Sequence, residues 1–273
     1  MKPPQNVSFL ERAIRGFVDS NKEAHHLRVC LANVVLGQFL RDCVARGGTS
    51  MKLRYGPDTT RFTIDFDVAC RNNREEFIAA LARRLEAGWS EFTGFVVTLP
   101  TPHPGDVPPE YVMHPFDIKL QYRHHPWCTV RFEVSYNEIG DADEQDLIPV
   151  PADLIALFEQ LGLPLPQPIP AMTIPYQIAQ KLHGLTAAKS QRVQDLVDLQ
   201  LMVDHEEVDW AKTKSICRRL FANRRQQSWP PVVVKGPEWD TLYVNSSFGL
   251  KGVRIVDEAI VWANEVIELI ERS

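Results

Sequence analysis

The sequence predicts an α+β fold in two parts, an α/β amino-terminal half and a helical carboxy-terminal half. Three observations carry this. Strand-like alternation of apolar and polar residues is confined to roughly the first 140 residues, and apolar residues at helical spacing dominate beyond residue 170. Between them lies the proline-rich stretch "IPVPADLIALFEQLGLPLPQPIP", which reads as a linker with one short helix near residues 150 to 170. The expected domains are therefore residues 1–150 and 151–273.

The elements follow in order. "SFLERAIRGFVDSNK" and "HLRVCLANVVLGQFLRDC" carry helical spacing, with Ser8 as an N-cap before Glu11. "TSMKLRYG" has the length of two helical turns and ends at Gly56, a C-cap, after which "PDTT" is turn chemistry. "RFTIDFDVAC" alternates apolar Phe62, Ile64, Phe66 and Val68 against Thr63, Asp65 and Asp67, the pattern of a half-buried strand. "REEFIAALARRLEAGW" is an amphipathic helix with Phe77, Leu81 and Leu85 on one stripe. Three strand-like segments follow, "FTGFVVTLP", "FDIKLQYR" and "TVRFEVSY", the last two joined at "HHPW" as a hairpin. Beyond the proline-rich stretch come the helical "TIPYQIAQKLHGLTAAKS", "RVQDLVDLQLMVDH", "DWAKTKSICRRLFANRRQQ" and "VDEAIVWANEVIELIERS".

With 273 residues and 44% hydrophobic content the chain can bury a sizeable core. No apolar run approaches membrane-span length and the start lacks a signal-peptide core, so a cytoplasmic protein is expected. Five scattered cysteines without a C-x-x-C pair exclude a zinc knuckle or a disulfide framework. A net charge of −5 gives no global attraction to nucleic acid, so any such contact needs a local basic patch.

Asp65 and Asp67, two apart on a strand, leave the same face and offer hard oxygen donors that suit magnesium or manganese. Taken alone, the same pattern is a solvated strand face. Upstream, Gly47-Gly48-Thr49 sits where the chain turns into a short helix, a place where backbone amides and a hydroxyl can cradle phosphate. Glu133 lies on the polar side of its strand, either as a third carboxylate or as a cross-strand partner of Arg131 or Lys119.

"GGTSMKLRYG" followed by "RFTIDFDV" resembles the first motif of the DNA polymerase beta superfamily of nucleotidyltransferases, in the form of the AbiEii/MenT toxin family. The match covers Gly47, Gly48, Thr49, Arg61, Phe62, Asp65 and Asp67, with Arg46 replacing a lysine, Thr63 a serine, and a longer spacer. "IAQKLHGLTAAKSQRVQDLVDL" resembles the family's second block and brings in Lys181, Arg192, Asp195 and Asp198. Found alone, Lys181 would read as a solvated helix residue and Asp195 as a helix N-terminal acid.

The resemblance implies a nucleotidyltransferase-type mixed sheet with flanking helices and a magnesium-dependent transfer of NMP from an NTP. It implies that Asp65 and Asp67 hold the metal, that Gly47, Gly48, Thr49 and Thr63 bind the nucleotide, and that Lys181 neutralises the triphosphate. Asp195 would contact the nucleotide or orient Lys181, Asp198 is a weaker nucleotide-binding choice on the same helix face, and Glu133 would be the third carboxylate. It further implies the toxin of a bacterial toxin–antitoxin pair, with the 3′ end of tRNA as acceptor and a cognate antitoxin as partner. The basic run Lys212, Lys214, Arg218, Arg219, Arg224 and Arg225 would grip RNA, or else forms a solvated helix face. The alternatives are transfer to a small molecule or a protein hydroxyl, and a non-catalytic binding protein of the same fold.

Overall fold

The computed structural model describes residues 2–56, 59–61, 63–101 and 112–273. The chain divides into two compact units, Met1–Pro57 with Phe62–Met172, and Asp58–Arg61 with Thr173–Ser273.

In the first unit, the described residues form a seven-stranded mixed sheet from β1 (Cys43–Arg46), β2 (Asp65–Cys70), β3 (Phe92–Thr98), β4 (His114–Tyr122), β5 (His125–Tyr136), β6 (Asp146–Ile148) and β7 (Ile169–Ala171). Its order is β3-β4-β5-β2-β1-β7-β6. β2 lies between antiparallel β1 and parallel β5, and β7 runs parallel to β1. Among the described residues, this unit has five helices: α1 (Val7–Arg15), α2 (Asn21–Gly37), α3 (Gly47–Tyr55), α4 (Arg74–Ala87) and α5 (Ala152–Gln160).

Alternation decides which face of the sheet does what. Phe66 and Val68 of β2 and Phe132 and Val134 of β5 are fully buried, and Phe77 of α4 stacks on Phe132 at a centroid distance of 6.5 Å. Each such side chain stabilises by about 1.5–3 kcal/mol on burial. The intervening residues Asp65, Asp67, Arg131 and Glu133 must then point to the opposite face.

Several expected boundaries shift. Asn6 rather than Ser8 caps α1, its side-chain oxygen accepting from the Phe9 amide at 3.0 Å. Ser20 and Glu23 form a capping box, so α2 begins well before "HLRVC". The hairpin between β4 and β5 turns at Arg123 and His124, both with positive φ, the requirement of a two-residue turn, and "HPW" is already strand. β2 begins only at Asp65, and Ile64, expected on the apolar side, is 56% exposed. Phe62 of the expected strand and Pro57-Asp58 of the spacer lie outside the described residues.

The proline-rich stretch is not a bare linker. It contributes the end of β6, all of α5 and the first two residues of β7, and β7 lies inside the sheet between β1 and β6. The division between units therefore falls after Met172.

The second unit contains α6 (Ile174–Leu185), α7 (Gln194–His205), α8 (Trp210–Arg224), α9 (Trp239–Ser247) and α10 (Val256–Arg272). Leu182, Leu196, Leu220, Phe221, Ala263, Ile267 and Ile270 are among its buried side chains. α9 was not anticipated from the sequence, because Trp239 and Tyr243 are its only buried residues and make too narrow a stripe to stand out. Tyr243 Oη donates to the Arg254 carbonyl at 2.8 Å and accepts from Gln200 at 2.9 Å, which anchors that helix.

None of the five cysteines forms a disulfide among the described residues. Among the described residues, no helix is long and apolar enough to cross a membrane.

Candidate active site

Strand register gathers the carboxylates of the first unit. Asp67 is paired with Glu133 across the β2–β5 ladder, and Asp65 with Arg131. Paired residues share a face, so Asp65, Asp67 and Glu133 stand together on the polar side. Asp117 of β4, paired with Arg131, adds a fourth carboxylate that sequence reasoning passed over. An open depression is lined by Ile64, Asp65, Asp117, Thr129, Arg131 and Glu133.

The cations nearby are drawn to Asp117. Arg131 Nε lies 3.5 Å from one of its oxygens and Lys119 Nζ 3.1 Å from the other. Among the described residues, neither cation forms an ion pair with Glu133, the bland partnership that the sequence left open. Burial, and then the charges of Asp67 and Asp65, push the Glu133 carboxyl above the usual carboxylate range, with Arg131 pulling the other way.

Gly47 closes this arrangement from the β1 side. Its φ is +63°, and a Cβ there would stand 2.5 Å from Oδ2 of Asp67. Only glycine lets the backbone turn this close beneath the carboxylate. Arg46, the residue before it, pairs with Asp67 across β1–β2 and donates to Ser135 Oγ at 2.7 Å. α3 starts at Gly47, its N-cap residue Arg46 makes no side-chain capping bond, and the positive end of its dipole lies beside the Asp67 carboxylate.

Two side chains of α3 brace the approach to β2. Thr49, fully buried, donates its hydroxyl proton to the carbonyl of Asp65, and Lys52, 4% exposed, donates to the carbonyl of Thr63 at 2.7 Å. Thr63 is half-buried beside them. The bracing lysine was missed because a lysine in a short helix normally reads as solvated.

In the second unit, Lys181 of α6 lies between two acids of α7, 3.3 Å from Asp195 Oδ1 and 2.6 Å from Asp198 Oδ2. Arg61 forks onto Asp198 at 3.0–3.2 Å, and Arg192 Nε meets Asp195 at 2.7 Å. Gly184 permits that approach, since a Cβ there would lie 2.7 Å from Arg192 Nε. Both acids are fully buried. Burial alone would raise the Asp198 carboxyl, but Lys181 and Arg61 outweigh it and hold it below its ordinary value. Lys181, Arg61 and Arg192 thus surround the two acids. Arg61 had counted only as a motif residue; that it clamps Asp198 is invisible to spacing.

The basic run lies along α8 and its C-cap. Lys214 donates to the main-chain carbonyl of Glu271, Arg218 pairs with the Glu271 carboxylate at 2.5 Å, and Arg224 meets His183 Nδ1 at 3.2 Å. Part of the run thus ties α8 to its neighbours, while Arg218, Arg219 and Arg225 stay exposed and Lys212 is half-buried.

The family described as "Nucleotidyl transferase AbiEii toxin, Type IV TA system" matches residues 30–263. Solved structures of similar fold include MenT4, a nucleotidyltransferase toxin from Mycobacterium tuberculosis H37Rv, with 14% identity, a TM-score of 0.54, and coverage of 97% of this chain and 98% of that one. JHP933 from Helicobacter pylori is 16% identical with a TM-score of 0.48, over 93% of this chain and 94% of its own. No curated protein matches this sequence. At such identities the likeness to MenT4 is one of fold. The family match, by contrast, spans the glycine turn, the strand carboxylates and the Lys181 cluster, and the chain belongs to the AbiEii family of nucleotidyltransferase toxins of type IV toxin–antitoxin systems.

Proposed function

We propose that the chain transfers NMP from an NTP to an RNA acceptor, the 3′ end of tRNA, and so blocks translation until its antitoxin intervenes. The observation that carries the reading is the convergence of Asp65, Asp67 and Glu133 on one sheet face directly above the Gly47 turn.

The donor set fits magnesium. Among the described residues, no three His, Cys, Asp or Glu side chains are gathered tightly enough to hold a metal unaided. Asp65 and Asp67 instead supply the one or two carboxylates that magnesium takes alongside phosphate oxygens and water. When bound there, the ion would neutralise charge on the phosphates and polarise the phosphorus.

The chain's own groups divide the remaining work. The Gly47-Gly48 turn and the first turn of α3 receive phosphate oxygens. Thr49 keeps Asp65 in place through the strand backbone. Glu133, with its carboxyl raised by burial and by Asp67 and Asp65, is a stronger base than an ordinary glutamate and takes the proton of the attacking hydroxyl. The new bond joins that oxygen to the α-phosphorus, the bond to the bridging oxygen breaks, and pyrophosphate leaves. Lys181, set between Asp195 and Asp198, is the lysine assigned to charge neutralisation on the leaving phosphates. The exposed Arg218, Arg219 and Arg225 give a chain of net charge −5 a local cationic surface for RNA.

Incubating the purified chain with total tRNA, magnesium and each labelled NTP in turn tests this. Label should appear on tRNA with at least one NTP and vanish in Asp67→Ala. Label on a protein or a small molecule but never on RNA would overturn the acceptor, and labelling that survives Asp67→Ala would overturn the site.

A further inference from the structure

A second cavity in the first unit lies where α2 meets the start of β5. It encloses about 460 Å³, within the roughly 300–1,000 Å³ of small-molecule sites. Its lining includes His25, Arg28, Asn33, Ile64, Trp127 and Thr129. Asn33 is 1% exposed, and neither its Nδ2 nor its Oδ1 has a hydrogen-bond partner. Buried amides are almost always bonded, because an unpartnered one forfeits its hydration without return. A buried donor and acceptor without partners in a cavity-lining residue define what would satisfy them: a planar group presenting an acceptor next to a donor. Nucleobase edges have that character, and asparagine reads adenine in this bidentate way.

The rest of the cavity agrees. Trp127 is held by its indole N–H donating to Glu11 at 2.7 Å, and with Val29 and Val130 it supplies apolar wall. Ile64, exposed against the expectation of its alternating strand, becomes intelligible as a further wall of this cavity. Arg28, bonded to His25 at 3.1 Å, lines it too and brings a cation suited to a phosphate group.

Position identifies the ligand. Ile64 and Thr129 line both this cavity and the depression that holds Asp65 and Glu133. In the sheet, β5 flanks β2 on one side and β1, leading to the Gly47 turn, on the other. Attacking and leaving oxygens lie roughly in line across phosphorus, so if the triphosphate rests at the glycine turn, the acceptor enters from the β5 flank. We propose that this cavity is a nucleobase pocket for the terminal nucleotide of the acceptor, read by the side-chain amide of Asn33. Its assignment to the acceptor rests on the nucleotidyl-transfer reading, whereas its affinity for a nucleobase does not.

Titrating the chain with adenosine, cytidine, guanosine and uridine, without metal or triphosphate, tests the pocket. At least one nucleoside should bind and shift the Trp127 indole N–H resonance. Asn33→Leu should weaken that binding at least tenfold while raising the melting temperature of the free protein, and Ile64→Ala, at an exposed position, should weaken it several-fold without unfolding. No binding by the wild type at millimolar nucleoside, or binding indifferent to both variants, would overturn the pocket and leave Asn33 satisfied by internal water. Nucleoside binding lost in Asn33→Leu with tRNA labelling unchanged would overturn the acceptor assignment. Nucleoside binding lost in that variant, with a wild type that labels no RNA, would support the pocket and count against the transfer reading instead.

Discussion

Gly47 and Asp67 share a volume that only one of them can fill: a Cβ at position 47 would stand 2.5 Å from Oδ2 of the aspartate. Gly47→Ala should therefore act twice. A left-handed backbone with a Cβ costs about 1–2 kcal/mol, and the carboxylate must swing aside. We expect a modest fall in melting temperature together with a loss of transfer of at least a hundredfold. Retained activity in a folded Gly47→Ala protein would show that the placement of Asp67 is not critical.

Glu133→Gln should separate stability from activity. A carboxyl raised above its unfolded value binds its proton more tightly in the folded protein, so its contribution is fully present below the unfolded value and is lost as pH rises through the folded one. At neutral pH the amide removes a charge facing Asp67 and Asp65, a relief on the order of 0.5 kcal/mol for a like-charge cross-strand pair. Thermal melts across acidic and neutral pH should find the variant slightly more stable at pH 7 and inactive. A variant that is less stable at pH 7 would contradict the charge crowding.

The opposite sign applies to Asp198. Its carboxyl lies below the unfolded value, so its contribution is present above that value and is lost as pH falls through the folded one. Asp198→Asn would leave Lys181 and Arg61 facing an amide in a buried site, and truncating one partner of such a pair costs about 3–5 kcal/mol. Urea melts at pH 7 should register that loss, and acid should narrow the gap to wild type. A change below about 1 kcal/mol would mean that the cluster is far wetter than its burial implies.

Thr49→Val keeps the shape and removes the hydroxyl that donates to the Asp65 carbonyl. One lost buried hydrogen bond costs about 1–3 kcal/mol. Because the bond fixes the strand carrying Asp65, transfer should fall more than nucleotide binding. Equal losses in both would point to direct contact between Thr49 and the nucleotide.

Arg218→Glu with Arg219→Glu reverses charge at two exposed positions of α8. If this face holds the RNA backbone, labelling should collapse while NTP binding persists, and the salt dependence of RNA binding should flatten. Arg218 also pairs with Glu271, so a melt must accompany the assay. Unchanged tRNA labelling would move the RNA surface elsewhere.

Much of the fold could be read from the sequence, because its helices and strands advertise themselves by period. Phe77, Leu81 and Leu85 are buried on one stripe of α4, and Phe66 with Val68 turn inward while Asp65 and Asp67 do not. The misreadings share a cause. Prolines around α5 and β7 gave a linker's composition to a segment whose few strand residues are held by pairing with distant partners, a non-local fact. Ile64 obeyed the alternation on paper and lies exposed, since the strand begins one residue later. At the candidate site, residue types and spacing flagged Asp65, Asp67 and Glu133, but Asp117, Lys52 and Asn33 come near it only through the sheet and helix packing.

The place of β7 has a consequence for how the protein comes into being. Ala171 pairs with Ala45, and the Met172 amide donates to the Ala45 carbonyl at 2.9 Å, immediately before the Arg46-Gly47 turn. During synthesis, the strand leading into the Gly47 turn thus waits for a neighbour encoded far downstream, and long-range pairing of this kind is slow to form. A nascent chain still short of Ile169 has every strand carboxylate in hand and no finished seat for the turn beneath them. The candidate site is completed late, once the whole first unit has left the ribosome.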